Sequence, residues 1–305
     1  MTECVITHIR YVALGVRDLR AQVEFYRDVW GLEERETDSD LAYFGAPQSP
    51  DPHLLRLRSA QADRLDLISF AVPTAKDVDA FAGRLEAAGV RLLGRPATLG
   101  GPGGGYGFRF FDPEGRTLEI SSDVAATPVR QLAERDWHPA SLSHAVINTP
   151  RLEETAAWYA EHLGMPFTDR LADVMIFLRA DNHFHHTLAI AAGPYVSVNH
   201  VAYESVGVDE YLRAAGRLIR AGEPCAWGPG RHGPGDNTFA YFQDRSGFVA
   251  EYTTKLQVVD DWNTWEPTVH PMTPEWSDQW GTANKRNPEP FLGFADPALF
   301  VAPPV

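Results

Sequence analysis

The stretch NHFHHTLA, residues 182–189, places His183, His185 and His186 within four positions. Imidazole changes charge near neutrality and is a common metal ligand, so the cluster points to acid–base or metal chemistry. Successive residues of an extended chain face opposite sides, however, so three near neighbours seldom close on one ion. Ligands must then be gathered from elsewhere. LSHAVIN carries His144, VSVNHVAYE carries His200 and VAEY carries Glu251. Two imidazoles and a carboxylate leave open positions, the facial set of non-haem Fe(II) oxygenases; zinc accepts the same donors. Parity sets His186 with Phe184, Leu188 and Ile190 on an inward face, with His183 and His185 on the other. His186 is therefore expected to do chemistry and His183 to lie at the surface. His185 is expected to meet solvent or an interface, with the pocket border as the lesser option.

Any one of these histidines alone reads more readily as a core or surface residue; an internal repeat turns the triple into a site. VRDLRAQVEFYRDVWGL (16–32) and TPRLEETAAWYAEHLGM (149–165) align at an offset of 133, matching Leu19 with Leu152, Tyr26 with Tyr159 and Gly31 with Gly164. FFDPEGRTLEI (110–120) aligns with FQDRSGFVAEY (242–252), matching Asp112 with Asp244, Gly115 with Gly247 and Glu119 with Glu251. On this alignment His144 stands opposite His8 and His200 opposite Ser69, a ligand set intact in the second copy and broken in the first. Alternation puts His144 with Leu142 and Val146, His200 with Val198 and Ala202, and Glu251 with Val249. These mainly apolar faces should turn inward, where a carboxylate without a partner is costly and a bound cation removes the cost.

The elements that must position these groups form two modules per half, each a strand, a helix and further strands. HIRYVALGV reads as a strand, and Asp18 as the N-cap of a helix ending at Gly31. Apolar segments follow at 41–45 and 53–58. LDLISFAV opens the second module, with a helix at about 75–89 and strands near 106–112 and 116–121. Residues 142–193 and 196–255 repeat the scheme. GGPGGGYG (100–107) leads into a strand rather than a helix, so it reads as a β-connection and not a phosphate cradle. The expected organisation is an N-terminal domain without metal (1–123), a linker (124–140), a catalytic domain (141–255) and an extension (256–305). The extension carries Trp262, Trp265, Trp276 and Trp280; packing, a lid and a subunit contact all remain open for it.

A chain of 305 residues with 44% hydrophobic content can bury a core in each half. The net charge of −14 argues against nucleic acid or an anionic membrane surface as partner. Cys4 and Cys225 make neither a disulfide framework nor a zinc cluster, so a reducing cytoplasm is expected. MTECVITHIR lacks the pattern of a signal peptide, and no run of apolar residues is long enough to span a bilayer.

The repeated modules, His144, His200, Glu251 and the segment GRHGPGDNTFAYFQDRSGFVAEY resemble the type I extradiol ring-cleaving dioxygenases of the vicinal oxygen chelate superfamily, over about residues 5–255. The resemblance implies an α+β fold of four βαβββ modules in two tandem domains. It implies Fe(II), less often Mn(II), on His144, His200 and Glu251. It makes His186 the acid–base histidine and places His232 and Tyr241 against a catechol-type substrate that is cleaved with O2 to a semialdehyde or keto acid. A homo-oligomer is the family's usual state. Arg245 after Asp244 and Ala240 before Tyr241 depart from the usual motif and concern turn and packing. Some relatives that cleave carboxylated catechols place an arginine five residues before the His232 position. Here that residue is Trp227, so an alkyl, aryl or uncharged ring substituent is expected, with Arg231, Arg179 or Arg286 as competing sources of charge. Other readings within the superfamily are a hydroquinone-cleaving dioxygenase, a zinc or nickel glyoxalase and a metal-free antibiotic-binding protein.

Overall fold

The computed structural model of the chain describes residues 6–283 and 294–295. The first half runs β1 (His8–Val16), α1 (Leu19–Glu24), β2 (Glu33–Thr37), β3 (Leu41–Gly45) and β4 (Leu55–Ser59), then β5 (Arg64–Ala71), α2 (Ala75–Ala87), β6 (Ala97–Thr98), β7 (Tyr106–Phe111) and β8 (Thr117–Ser122). The second repeats it as β9 (Ser141–Thr149), α3 (Leu152–Leu163), β10 (Phe167–Leu171), β11 (Met175–Leu178) and β12 (Leu188–Ala192), then β13 (Ser197–Glu204), α4 (Val208–Arg220), β14 (Cys225–Arg231), β15 (Thr238–Gln243) and β16 (Val249–Thr254). In the extension follow β17 (Val269–His270), α5 (Pro274–Ser277) and β18 (Phe294–Ala295). The fold is α+β: four βαβββ modules in two tandem pairs.

Each half forms one sheet whose two modules meet through their first strands, β1 antiparallel to β5 and β9 antiparallel to β13. β17 extends the second sheet beside β10, and β18 pairs with β13. Local signals explain most element ends. The Asp18 carboxylate accepts from the Ala21 amide at 3.0 Å, and Thr74 and Asp77 cap α2 reciprocally. Gly31, at φ 91°, turns the chain out of the first helix under Trp137, where a Cβ would collide with the indole. After Glu24 that helix continues as a π-helical segment, Phe25–Trp30, which heptad-like spacing does not announce. β2 carries no strand signal in the sequence, because EERET is largely exposed and lacks apolar alternation. GGPGGGYG forms the turn between β6 and β7 and its last two residues open β7, with Leu99 N–H donating to Gly105 O at 2.9 Å.

One continuous apolar core, including Trp30, Phe44, Phe81, Tyr159, Tyr203 and Tyr252, runs through both halves beneath the helices. Val146, Phe177, Ala189 and Ala191 form a smaller cluster on the opposite face of the second sheet. Among the described residues no helix is long and apolar enough to cross a membrane.

Candidate metal centre and active site

β9, β13 and β16 lie side by side in the second sheet, and each contributes one residue to a common point. Ala202 pairs with both His144 and Glu251, while His200 pairs with Val146 two positions along. Ligand atoms of His144, His200 and Glu251 consequently lie within 4.8 Å of one another. His144 Nε2 and His200 Nε2 approach Glu251 Oε2 at 3.3 and 3.0 Å. Despite these close approaches, neither carboxylate oxygen of Glu251 nor His200 Nε2 makes a well-aligned hydrogen bond, although all are buried. Burial pushes the Glu251 carboxyl up, but the two imidazoles beside it prevail and hold it at about 2. Burial drives His200 below its ordinary value against the pull of Glu251. A divalent cation requires its carboxylate ligand anionic, as Glu251 is held, and its imidazole ligands deprotonated at the nitrogen that binds. The outer nitrogens are already engaged: His200 Nδ1 donates to Asn199 Oδ1 at 2.8 Å, and His144 Nδ1 lies 3.1 Å from Ser143 Oγ. Those bonds leave Nε2 of each ring as the ligand atom. The residues fit a divalent metal.

Strict alternation along the strands does not hold. Register shifts skip Ser143 on β9 and Asn199 on β13, so Leu142 and Val198 pack into the helix-side core instead of sharing a face with the histidines. Two β-bulges re-aim the flanking side chains, as bulges beside active sites do.

The same register corrects the counterparts assigned in the first half. Glu119 pairs with Ser69, and Ser69 with Tyr11; the second-half series is Glu251, Ala202, His144. Tyr11 thus corresponds to His144, Leu67 to His200 and Ser69 to Ala202, not His8 to His144 or Ser69 to His200. Arg109 pairs with Glu119 as Tyr241 pairs with Glu251. Glu119 is fully satisfied: Tyr11 O–H and Ser69 O–H donate to Oε1 at 3.0 and 2.8 Å, and Arg109 Nε–H donates to Oε2 at 2.8 Å. A guanidinium neutralises the carboxylate in the first half. His53, two residues before β4, matches His186 two residues before β12, a correspondence that went unnoticed in the sequence.

A cavity of about 250 Å³ opens on the His144 and His200 rings, and His186, Trp227, His232 and Tyr241 line it. His186 sits 4.5 Å from His144 between ring centroids and 5.0 Å from Phe177. Its place does not follow from strand parity, because residues 182–187 precede β12 and Leu188 and Ile190 face the other core. Gly235, at φ 74°, closes over it; a Cβ there would stand 3.1 Å from His186 Cε1. His232 Nδ1 donates to Ser277 O at 3.0 Å, so its Nε2 accepts from the Tyr241 hydroxyl at 2.9 Å. Burial first, then repulsion from His144, His185, His232 and His200, keeps His186 well below its usual pKa. Burial lowers His232 to about 4 and pushes Tyr241 well up, with Glu251 adding to the rise. All three are neutral at physiological pH.

His183 is exposed, as expected. His185 is not a solvent or interface residue: it is fully buried, with Nε2 3.0 Å from Asp169 Oδ2. Arg231 is engaged by Asp236 at 2.6 Å and Arg179 stacks 4.2 Å over Trp262, and neither lines the cavity. Arg286 lies outside the described residues. The extension supplies Met272, Trp276 and Ser277 to the cavity wall. Asn199, Ser143, Asp169 and Ser277 were missed in the sequence. Asn199 beside His200 was the one detectable sign, a polar residue next to a ligand.

The profile of the Glyoxalase/Bleomycin resistance protein/Dioxygenase superfamily matches residues 8–120 and 141–252. Metapyrocatechase 2 of Cupriavidus necator is 28% identical over 277 residues, 84% of this chain and 83% of that protein. The manganese-dependent 2,3-dihydroxybiphenyl 1,2-dioxygenase of Geobacillus genomosp. 3 is 26% identical over 290 residues, 86% of this chain and 89% of that one. Among solved structures, the Mn(II)-bound glyoxalase from Novosphingobium aromaticivorans superimposes with a TM-score of 0.93 at 42% identity, over 98% of each chain.

Proposed function

Because the chain belongs to the glyoxalase/bleomycin resistance protein/dioxygenase superfamily, we propose that it is an Fe(II)-dependent extradiol dioxygenase for catechols bearing an uncharged alkyl or aryl group. One observation carries this reading: the buried Glu251 carboxylate, its oxygens without a satisfied hydrogen bond, stands behind two imidazoles whose rings open on a largely apolar cavity. The relatives named above, a metapyrocatechase and a manganese-dependent 2,3-dihydroxybiphenyl 1,2-dioxygenase, support it.

His144, His200 and Glu251 would hold the metal, Fe(II) or alternatively Mn(II), which when bound lets electrons pass from a catecholate to O2. The chain's own residues manage protons and water. Tyr241 can accept a hydrogen bond from a substrate hydroxyl while its own proton is directed to His232 Nε2, so the pair steadies an ionising catechol oxygen. Neutral His186, on the other side of the cavity, can take up a proton and return it when the ring opens. Trp227, Phe177, Val146 and Trp276 exclude water and seat the ring substituent. No lysine or arginine lines the cavity among the described residues, so a carboxylated side chain would be desolvated without a partner.

Anaerobic loading with Fe(II) or Mn(II), followed by O2 uptake on matched catechols, tests the reading. One O2 should be consumed per ring, with higher kcat/KM for alkyl- or arylcatechols than for carboxymethylcatechol. A preference for the carboxylated compound overturns the substrate class, and uptake only with hydroquinones moves the cleavage type. A second reading is favoured by the 42% identity to a protein named a glyoxalase: metal-dependent isomerisation of a hemithioacetal, which needs no O2. Turnover of that substrate under anaerobic conditions, with inert catechols, would replace the dioxygenase reading.

A further inference from the structure

Behind His186 runs a buried chain of polar groups that the preceding mechanism leaves unused. His185 Nδ1 lies 3.0 Å from His186 Nδ1, and His185 Nε2 lies 3.0 Å from Asp169 Oδ2. The same Oδ2 meets His270 Nε2 at 2.9 Å, while Oδ1 accepts from the Thr268 amide at 2.7 Å. Phe177 and Trp265 flank His185 edge-on, 5.5 and 5.6 Å between centroids, and fix its plane. Asp169 belongs to β10, whereas Thr268, His270 and Trp265 come from the extension. Burial pushes the Asp169 carboxyl up, but donors from His185, His270 and Thr268 pull it below its ordinary value.

The hydrogen bonds have a direction. A carboxylate only accepts, so His185 carries its proton on Nε2. An imidazole singly protonated on Nε2 has a lone pair at Nδ1, so the contact between the two Nδ1 atoms runs from His186 to His185. His186 then has its proton on Nδ1 and an unprotonated Nε2. We propose that Asp169 and His185 are positioning residues that set the tautomer of His186, so that Nε2 meets the substrate as a proton acceptor. This rests on the dioxygenase reading only for the identity of the substrate. The extension would thereby take part in proton handling at both ends of the cavity, through Asp169 here and through Ser277 at His232.

The test uses the full chain labelled with [15N]histidine and loaded with Zn(II), in which two-bond 1H–15N correlations report each ring's tautomer without turnover. Wild type should show His186 with a bare Nε2. In Asp169→Asn the side-chain amide can donate to His185 Nε2, which drives the proton to His185 Nδ1 and reverses the pair, leaving His186 protonated on Nε2. His185→Phe keeps the ring packing and should release His186 to a mixture of tautomers. It also serves if the asparagine variant does not fold. In the Fe(II) protein, kcat of both variants should fall about 10²-fold or more, within the range spanned by general acid–base catalysis and by tautomer inversion in a catalytic triad. KM for the catechol and the metal content should stay near wild type. A wild-type His186 protonated on Nε2, unchanged tautomers in the variants, or unchanged kcat in an enzyme that cleaves catechol each overturn the proposal. If tautomers switch as stated but no catechol is consumed even by wild type, the positioning stands and the dioxygenase reading falls.

Discussion

Glu119 and Glu251 occupy the same register position in two copies of one sheet, yet their surroundings give them opposite fates. Three donors satisfy Glu119, among them the Arg109 guanidinium, whereas the oxygens of Glu251 make no well-aligned hydrogen bond. We expect one equivalent of Fe(II) per chain by elemental analysis after reconstitution, and none in His200→Ala. A Tyr11→His, Leu67→His double variant should still bind one equivalent, because Arg109 keeps a cation beside Glu119; two equivalents would show that the guanidinium is not the barrier. His186→Phe should retain metal and catechol binding and lose about 10²–10⁴-fold in kcat, the usual range for an acid–base group; loss of iron would instead make His186 a ligand. The second-half triple was legible because its residue types are rare on strands with apolar neighbours. Its first-half counterparts were not, because aligning on histidine alone favours His8 over Tyr11, and a tyrosine or leucine carries no trace of the ligand it stands opposite.

The strands that carry the triple were legible from composition and from the repeat, whereas their order in the sheet was not. Nor were the bulges at Ser143 and Asn199. One skipped residue reverses the facing of everything beyond it, and neither glycine nor proline marks the spot. The facing can be checked at Val198, which is buried on the helix side. Val198→Ala should cost roughly 2 kcal/mol of stability for the lost methyls and the cavity, read by denaturant unfolding, with KM and metal content unchanged. A shifted KM with little loss of stability would return Val198 to the cavity face. The extension was visible only as a tryptophan-rich tail. Its contacts with β10 and β14 depend on backbone groups such as Ser277 O and the Thr268 amide, which no side-chain pattern encodes.

The two halves are joined by a reciprocal exchange that the repeat had marked without explaining. Tyr26 of the first half donates to Asp244 of the second at 2.8 Å, and Tyr159 of the second donates to Asp112 of the first at 3.0 Å. Asp112 also has Arg116 at 2.8 Å; the matching position beside Asp244 is Phe248. With Phe248 in place of that guanidinium, burial raises Asp244 from 3.8 to about 6, against the pull of Gln22, Tyr26 and the amides of Ser246 and Phe248. Between those values the folded chain holds a proton that the unfolded chain has released, so this group adds stability as pH falls through about 6 and the gain is complete below about 4. The stability of wild type relative to Asp244→Asn should therefore rise on acidification across that window, by on the order of 2–3 kcal/mol, measured by urea unfolding at stepped pH. A difference that shrinks instead would mean Asp244 is ionised throughout. The exchange has a further consequence. Two bonds related by a pseudo-twofold are what an isologous homodimer of half-length chains would make, and the second half alone holds both members, Tyr159 and Asp244. The molecule is thus built as a covalently fused dimer: split within residues 124–140, its halves should find each other as separate polypeptides, and the second half alone should pair with its own copy, giving an assembly with two metal sites where the fused chain has one.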